Sequence, residues 1–199
     1  MLALYLVREK GMKGEIVKTF STSRLIESVA RGLGIPFHET PIGFKYVADL
    51  MLTRNILVGG EESGGVGFGH FMPERDGVLS GLMVAEYVAR TGKSLSDIVR
   101  SMEDEFGTLF YDRRDVHSPM DVNTRLIERV RKGELDREFG PDLAGHEEKD
   151  GVKLNFKDGS WILFRKSGTE PIIRIYAESP SSGRVQEMLD IAIAQLDRS

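Results

Sequence analysis

The sequence of 199 residues has no cysteine, a single tryptophan and no long hydrophobic run. Without cysteine the chain forms no disulfide and offers no thiolate for catalysis or metal binding. The apolar start at residues 2–7 is too short for a signal peptide and has no cleavage site, and no apolar run approaches the roughly 20 residues of a membrane-spanning helix. The net charge of −4 argues against nucleic acid as a partner. We therefore expect a cytoplasmic protein that binds neither membrane nor nucleic acid.

A glycine-rich stretch, residues 59–70, reads Gly-Gly-Glu-Glu-Ser-Gly-Gly-Val-Gly-Phe-Gly-His and follows an apolar run that predicts a buried strand. Glycines offer no side chain to bury and cost backbone entropy, so we predict a loop and not a packed element. Within it, Glu61 and Ser63 can exchange hydrogen bonds with hydroxyls. Because loops at strand ends often carry sites, we interpret the stretch as a site for a neutral polyhydroxyl ligand. The alternative is a solvated surface loop.

Nucleotide-binding glycine motifs do not fit this stretch. A P-loop requires lysine and then serine or threonine after its last glycine, whereas Gly64 is followed by Gly65. The dinucleotide pattern also fails, because Met72 stands where its third glycine belongs, and Pro73 delays the next helix. A helix N-terminus close behind the glycines, which both motifs need, is therefore not predicted.

Strand and helix patterns alternate over residues 1–107, which predicts a parallel, layered α/β domain. The loops at residues 21–24, 40–45 and 59–70 would then share the carboxyl edge of one sheet. Ligands bind at that edge in folds of this kind.

The pattern changes over residues 108–199, where strands are joined by turns. The pair Asp158-Gly159 predicts a hairpin turn. Asp121 predicts a helix N-cap, and the charged residues 134–149 predict loop or short helix. We expect a small antiparallel sheet with helices on one face, an α+β domain.

Arg165, Ser167, Gly168 and Thr169 lie between two predicted strands of this second domain. A phosphate binds best to a planar cation, hydroxyl donors and free backbone N–H groups in a tight turn, and this loop supplies all three. We expect Gly168 to relieve backbone strain there. The alternative is a hairpin turn with incidental polar residues. We expect Arg174 to be solvated or paired with Glu178, although it could extend the basic patch.

Two motifs resemble those of the α-D-phosphohexomutases, the phosphoglucomutase and phosphomannomutase family. Residues 60–64, Gly-Glu-Glu-Ser-Gly, resemble the sugar-binding loop, and residues 165–171, Arg-Lys-Ser-Gly-Thr-Glu-Pro, resemble the phosphate-binding loop. The resemblance implies that the chain is a fragment, namely the end of the third domain and all of the fourth. It also implies a sugar-binding role for Glu61, Ser63 and Lys45, the lysine of a similar Gly-Phe-Lys stretch, and a phosphate-binding role for Arg165, Ser167, Gly168 and Thr169.

Family members transfer a phosphoryl group from an enzyme phosphoserine to a sugar phosphate, with Mg²⁺ as cofactor. The sequence contains neither a serine loop of the Thr-Ala-Ser-His-Asn-Pro kind nor an Asp-Gly-Asp-x-Asp metal loop. The resemblance therefore implies that this chain holds no catalytic residue, metal ligand or cofactor, although Mg²⁺ belongs to the full-length family. The four histidines have no metal-ligand spacing.

The resemblance implies the substrate-binding half of an isomerase that moves phosphoryl between the C1 and C6 oxygens of a hexose. The expected partners are glucose or mannose phosphate and the missing N-terminal domains, and the chain alone should be inactive. Two alternatives remain: a stand-alone sugar-phosphate-binding or regulatory module, and part of a phosphoglucosamine mutase. The roles of Arg24, His70, Lys166 and Arg174 are open.

Overall fold

The structure is a computed structural model that describes residues 1–168 and 170–196. The chain divides into two units, Met1–Thr108 and a second unit that begins at Leu109. Among the described residues, no helix is both long enough and apolar enough to cross a membrane.

The first unit alternates helices and strands. Its elements are, in order, α1 (Leu2–Leu4) running into a π-helical turn (Tyr5–Glu9), β1 (Glu15–Thr19), α2 (Leu25–Leu33), β2 (Phe37–Thr40), α3 (Phe44–Thr53), β3 (Ile56–Gly60), β4 (Val66–Gly67), α4 (Gly77–Thr91) and α5 (Leu95–Phe106).

The sheet of the first unit has the order β2-β1-β3-β4, in which β1 is parallel to both β2 and β3 and only the short β4 is antiparallel. Successive side chains of a strand point to opposite faces. Accordingly Ile16 packs in a core with α1 and α2, whereas Val17 packs against Val47 and Met51 of α3. Helices thus cover both faces, and the predicted layered α/β class is confirmed.

The predicted loop at residues 59–70 is wrong in part, because its first half is a packed hairpin. β3 continues through Gly60, and Gly59 and Gly60 pair with Gly67 and Val66 of β4. A Cβ on Gly59 would lie 2.6 Å from Val17 Cγ1 and still closer to Val47 Cγ1. Glycine is therefore required here because Val17 of β1 and Val47 of α3 occupy the space that a side chain would need.

The second unit is an antiparallel sheet with two helices. Its elements are β5 (Phe110–His117), α6 (Met120–Arg131), a 3₁₀ turn (Asp136–Phe139), β6 (Leu143–Glu148), β7 (Val152–Phe156), β8 (Trp161–Lys166), β9 (Ile172–Ser179) and α7 (Ser182–Ala194).

The strand order is β5-β9-β8-β7-β6, with every neighbouring pair antiparallel. α6 and α7 pack on the face that carries Ile162 and Phe164 of β8. The predicted antiparallel sheet with helices on one face is confirmed. The alternate residue Trp161 lies on the other face, where its Nε1 donates a hydrogen bond of 2.8 Å to Glu178.

Of two local predictions in the second unit, one is wrong in part and one is wrong. Residues 134–149 include a short helix, the 3₁₀ turn at Asp136–Phe139, but also the edge strand β6, whose residues are half-buried or exposed and which is held by pairing with β7. Asp121 is not the N-cap of α6, because the helix begins one residue earlier at Met120, after Pro119. The carboxylate of Asp121 instead pairs with Arg125, one turn further along the exposed face.

Candidate functional site

The carboxyl ends of β1, β2 and β3 meet at one edge of the first sheet, because the three strands are parallel. The segments that follow them are residues 20–24, residues 41–43 and the hairpin between β3 and β4. The predicted arrangement of these loops on one edge is therefore confirmed, and this edge is the candidate site of the first unit.

Hydrogen bonds tie the three segments together. The Ser21 hydroxyl, which is fully buried, donates to Glu62 Oε2 at 2.6 Å. The backbone N–H of Gly43 donates to the carboxylate of Glu61. Within the hairpin, the Glu61 N–H donates to the Gly65 carbonyl at 2.9 Å and the Gly64 N–H donates to the Glu61 carbonyl at 3.1 Å. The two glutamates are thus anchored, although the surrounding sequence is rich in glycine.

Glu61 has a largely buried side chain, and this burial raises the pKa of its carboxyl. The charge of Arg75, whose Nη1 lies 3.6 Å from Glu61 Oε2, opposes that rise in pKa, and the Arg75 guanidinium also lies over the Phe44 ring. A Cβ on Gly65 would lie 2.7 Å from Arg75 Cδ. Gly65 therefore lets the arginine cross the hairpin and reach Glu61. The N-terminus of α4 is capped by Asp76, which accepts a hydrogen bond from the Leu79 N–H.

Ser63 and Lys45 are both exposed. Ser63 lies in the turn of the hairpin, and Lys45 is the second residue of α3 with its Nζ 4.8 Å from the centre of the Tyr46 ring. Both follow strands that end at the candidate edge. Their contact with a ligand stays a prediction.

Lys18 is a polar residue of this edge that the sequence reasoning missed. It is 1% exposed, and its Nζ lies 2.9 Å from Glu27 and 3.2 Å from Glu39. The available signal was a lysine directly after two apolar strand residues, with glutamates in the next helix and strand. Ser21, whose hydroxyl donates a hydrogen bond to Glu62, was likewise not recognised as a support of the hairpin.

The candidate phosphate loop of the second unit follows β8. The Ser167 N–H donates to the Ile172 carbonyl at 2.9 Å, and the Ser167 hydroxyl accepts from the Glu170 N–H at 3.2 Å. Gly168 is exposed, its φ is not positive, and a Cβ there would meet none of the described atoms within 4 Å. The expectation that Gly168 relieves strain is therefore wrong, and its effect is to leave open space. Thr169 lies outside the described residues.

Arg165 is the last-but-one residue of β8, and its Nε donates to Asp150 at 3.0 Å. Burial is the largest single influence on the pKa of Arg165 and lowers it, but the hydrogen bond and charge of Asp150 together with the contribution of Tyr176 outweigh burial, so the pKa is raised. Arg174 is its cross-strand partner on β9. Two like charges at paired positions repel each other, and Asp150 offsets this repulsion on one side.

Arg174 pairs with Glu170 and Asp115, each at 3.7 Å, and not with Glu178. The predicted pair with Glu178 is wrong because four residues along a strand span roughly 13 Å, and because Glu178 is buried beside Trp161. Two guanidinium groups thus flank the loop, and each is paired with carboxylates: Arg165 with Asp150, and Arg174 with Glu170 and Asp115.

No group of three or more His, Asp or Glu side chains is arranged to hold a metal ion among residues 1–168 and 170–196.

Comparison with known proteins gives a match to two family models. Residues 1–106 match the phosphoglucomutase/phosphomannomutase alpha/beta/alpha domain III, and residues 118–195 match the phosphoglucomutase/phosphomannomutase C-terminal domain. Both matches fall within the two units of the structure.

Similar proteins match over nearly the whole chain. A phosphoglucomutase/phosphomannomutase of Thermococcus kodakarensis is 34% identical over 100% of this chain and 41% of its own length. A phosphoglucosamine mutase of Methylococcus capsulatus is 31% identical over 92% of this chain and 36% of its own length. The chain thus spans about two fifths of the length of such relatives.

Solved structures give the same result. A crystal structure from Thermus thermophilus, described as a phosphomannomutase, is 36% identical with a TM-score of 0.77, and covers 98% of this chain and 39% of the other. The phosphoglucomutase pp63/parafusin of Paramecium shares the fold, with a TM-score of 0.75 and 23% identity over 92% of this chain and 37% of its own. From both domain matches, the chain belongs to the phosphoglucomutase/phosphomannomutase family.

Proposed function

We propose that this chain is the hexose-phosphate-binding part of a phosphoglucomutase or phosphomannomutase. Such an enzyme is an isomerase that moves a phosphoryl group between the C1 and C6 oxygens of a glucose or mannose phosphate. The observation that carries the proposal is that a chain of this family holds one polar motif at the end of a strand in each unit, Glu61 and Ser63 after β3 and Ser167 and Gly168 after β8. Its further partner would be N-terminal domains like those that the longer relatives contain.

In the second unit, the proposed ligand is the phosphate that is not being transferred. The Arg165 guanidinium, whose Nε donates to Asp150 at 3.0 Å, would donate to phosphate oxygens as a planar fork. Ser167, Gly168 and Thr169 would supply hydroxyl and backbone donors. Hydrogen bonds to a charged group contribute about 1.5–3 kcal/mol each, so three or four of them give useful affinity.

In the first unit, the proposed ligand is the sugar ring. Glu61 would accept hydrogen bonds from two ring hydroxyls, because the Gly43 N–H and Arg75 already hold its carboxylate in one orientation. Ser63 would contact a neighbouring hydroxyl. The exposed ammonium of Lys45 would attract the anionic ligand to this edge. Groups that are held in place before binding lose less entropy on binding.

This chain is proposed to bind and orient, and not to perform the chemical step. Phosphoryl transfer needs an activated nucleophile and positive charge near the transferring group. The family resemblance assigns the phosphoserine and the Mg²⁺ site to other domains, where Mg²⁺ would supply the charge neutralisation. The described residues of this chain form no group that fits Mg²⁺, so we assign them no metal-dependent step.

A phosphoglucosamine mutase is the second candidate function, favoured by relatives of that name. Besides the Methylococcus protein, a probable phosphoglucosamine mutase of Pyrococcus abyssi is 29% identical over 96% of the chain. The two candidates differ in the sugar that contacts Glu61 and Ser63. A glucosamine carries an ammonium group, which a carboxylate attracts, so ligand preference separates the candidates.

The test is an NMR titration of the ¹⁵N-labelled chain with glucose 6-phosphate, mannose 6-phosphate and glucosamine 6-phosphate. We expect sugar-dependent amide shifts at Glu61 and Ser63, and we expect Glu61→Gln to remove them. Glu74→Gln is the matched control, since Glu74 is an exposed carboxylate that also contacts Arg75. Identical shifts for all three ligands and for inorganic phosphate, or unchanged shifts in Glu61→Gln, would overturn the sugar-binding role.

A further inference from the structure

The sugar-binding edge contains a fully buried cation, Lys18, that no proposed ligand contact uses. Its ammonium has three N–H donors and three acceptors: the Thr22 carbonyl at 2.9 Å, Glu27 Oε1 at 2.9 Å and Glu39 Oε2 at 3.2 Å. These acceptors belong to the loop after β1, to α2 and to β2. One side chain therefore joins three separate segments at the edge.

A buried ammonium is a costly way to join them. Ile16 and Val17, its neighbours on β1, are apolar and buried, and an apolar residue of similar size at position 18 would avoid the cost of removing a charge from water. Buried ion pairs are often no more stabilising than well-packed apolar replacements. Stability alone therefore explains Lys18 poorly, and a requirement for one fixed arrangement of its partners explains it better.

The segment that Lys18 holds in place is hydrogen-bonded to the glycine hairpin. Lys18 holds the carbonyl of Thr22, and the Thr22 hydroxyl and N–H are also bonded, to the Thr19 hydroxyl at 2.9 Å and the Thr19 carbonyl at 3.0 Å. Ser21 stands between these two threonines, and its buried hydroxyl donates to Glu62 Oε2. Glu62 is flanked by Glu61 and Ser63, the two proposed sugar ligands.

We propose that Lys18 is a positioning residue for the sugar-binding hairpin and acts through the Thr22 carbonyl and the Ser21–Glu62 hydrogen bond. The effect of Lys18 on ligand binding rests on the proposed function. Lys18 sets the conformation of residues 21–22 so that the Ser21 hydroxyl meets Glu62. Without the ammonium, the Thr22 carbonyl loses its donor, and Glu27 and Glu39 face each other without the charge between them.

The first test is Lys18→Met, which keeps the length of the side chain and removes the charge. Lys18 holds the Thr22 carbonyl and so stabilises the turn in which the Thr22 N–H donates to the Thr19 carbonyl. In the ligand-free variant we therefore expect amide hydrogen exchange at Thr22 to rise at least about tenfold, since the bond from the charged donor is lost, together with amide shifts at Glu62 and Ser63.

Leu4→Ala is the control, because Leu4 of α1 is buried in the same unit and belongs to the core that includes Val29 and Ala30 of α2. It should raise exchange evenly without moving the hairpin amides. Equal behaviour of the two variants would overturn the proposal.

Two further variants keep the test decisive if Lys18→Met does not fold. Ser21→Ala removes only the second link, and we expect it to reproduce the Glu62 and Ser63 shifts while leaving Thr22 protected. Glu39→Gln removes the charge of one partner, and we expect faster exchange at Thr22. If the hairpin amides move in neither variant, Lys18 does not position the hairpin.

A ligand arm separates this proposal from the proposed function. With glucose 6-phosphate, we expect Lys18→Met to weaken binding at Glu61 and Ser63 about tenfold and to leave phosphate binding at Ser167 unchanged. If the parent chain shows no sugar-dependent shift, the proposed function fails, whereas the ligand-free signature still decides the role of Lys18. If the ligand-free shifts occur but affinity is unchanged, Lys18 positions the hairpin without consequence for binding, and its functional part is refuted.

Discussion

Gly59→Ala is predicted to destabilise the first unit by packing alone. Gly59 is not among the glycines with positive φ, so alanine can adopt its backbone conformation. The added methyl would lie 2.6 Å from Val17 Cγ1, closer still to Val47 Cγ1, and 3.1 Å from Met51 Cε. Carbon atoms pack best at about 3.5–4.0 Å, so the two valines must each move by roughly 1 Å.

Moving the two valines costs a substantial free energy. Both are β-branched and at most 1% exposed, so they have few alternative rotamers and no solvent to move into. Overpacking of this kind costs about 1–3 kcal/mol, and the upper half of that range fits two simultaneous overlaps. With about 4–8 °C per kcal/mol for a domain near 100 residues, we expect the melting temperature of the first unit to fall by about 8–24 °C.

The assay is thermal unfolding followed by circular dichroism, with two comparisons. Val47→Ala removes two methyl groups beside Gly59, so Gly59→Ala should cost less in that background than in the parent, a non-additive pair. Gly81→Ala is the matched control, because a Cβ on this helical glycine meets nothing within 4 Å; it should stabilise by about 0.5–1 kcal/mol. An unchanged melting temperature for Gly59→Ala would refute the packed-hairpin interpretation.

Three further predictions concern activity, pH and capping. The purified chain should convert no glucose 1-phosphate to glucose 6-phosphate above a mock preparation, because it is assigned no nucleophile; measurable turnover would contradict this. Because burial raises the pKa of Glu61, folding favours its protonated form, and the parent loses stability as pH rises through that raised pKa. The melting temperature of Glu61→Gln should therefore exceed that of the parent at pH 7, and the difference should shrink towards pH 4. A difference in melting temperature that is constant with pH would contradict this prediction. Ser94→Ala removes the N-cap of α5 and should cost about 1 kcal/mol, whereas Ser101→Ala, inside the same helix, should cost much less.

The fold was predictable where one physical signal dominates. α3 occupies residues Phe44–Thr53, where apolar residues recur at helical spacing directly after a glycine. The β7–β8 hairpin was predictable because Asp158-Gly159 suits a tight turn and alternating apolar residues flank it. In both places local sequence and tertiary packing favour the same structure.

β6 and the hairpin of β3 and β4 were not predictable in the same way. β6 is an edge strand rich in charge, and its conformation depends on pairing with β7, which no local pattern encodes. Gly59 reads as flexible in the sequence, and only the valines across the sheet and on α3 show that it is packed. Tertiary contacts override local propensity at both elements.

The location of the candidate site could be predicted from the sequence, whereas the residues that hold it in place could not. Strand order placed Glu61 and Ser63 at the carboxyl edge, because parallel strands share that edge. Lys18 and Ser21 were missed as supporting residues, because their partners are brought together by the fold and not by spacing. The binding roles of the named site residues stay predictions until ligand is added.

The most direct measurement is an NMR titration of the chain with inorganic phosphate, read at the amides of Ser167 and Gly168. We predict saturable shifts that are lost in Arg165→Ala and retained in Lys157→Ala, which removes one exposed cation at the opposite end of the same hairpin. Glucose 6-phosphate should shift the same amides. If Arg165→Ala binds phosphate as tightly as the parent chain, or if both variants weaken binding equally, this chain does not bind a hexose phosphate through this loop.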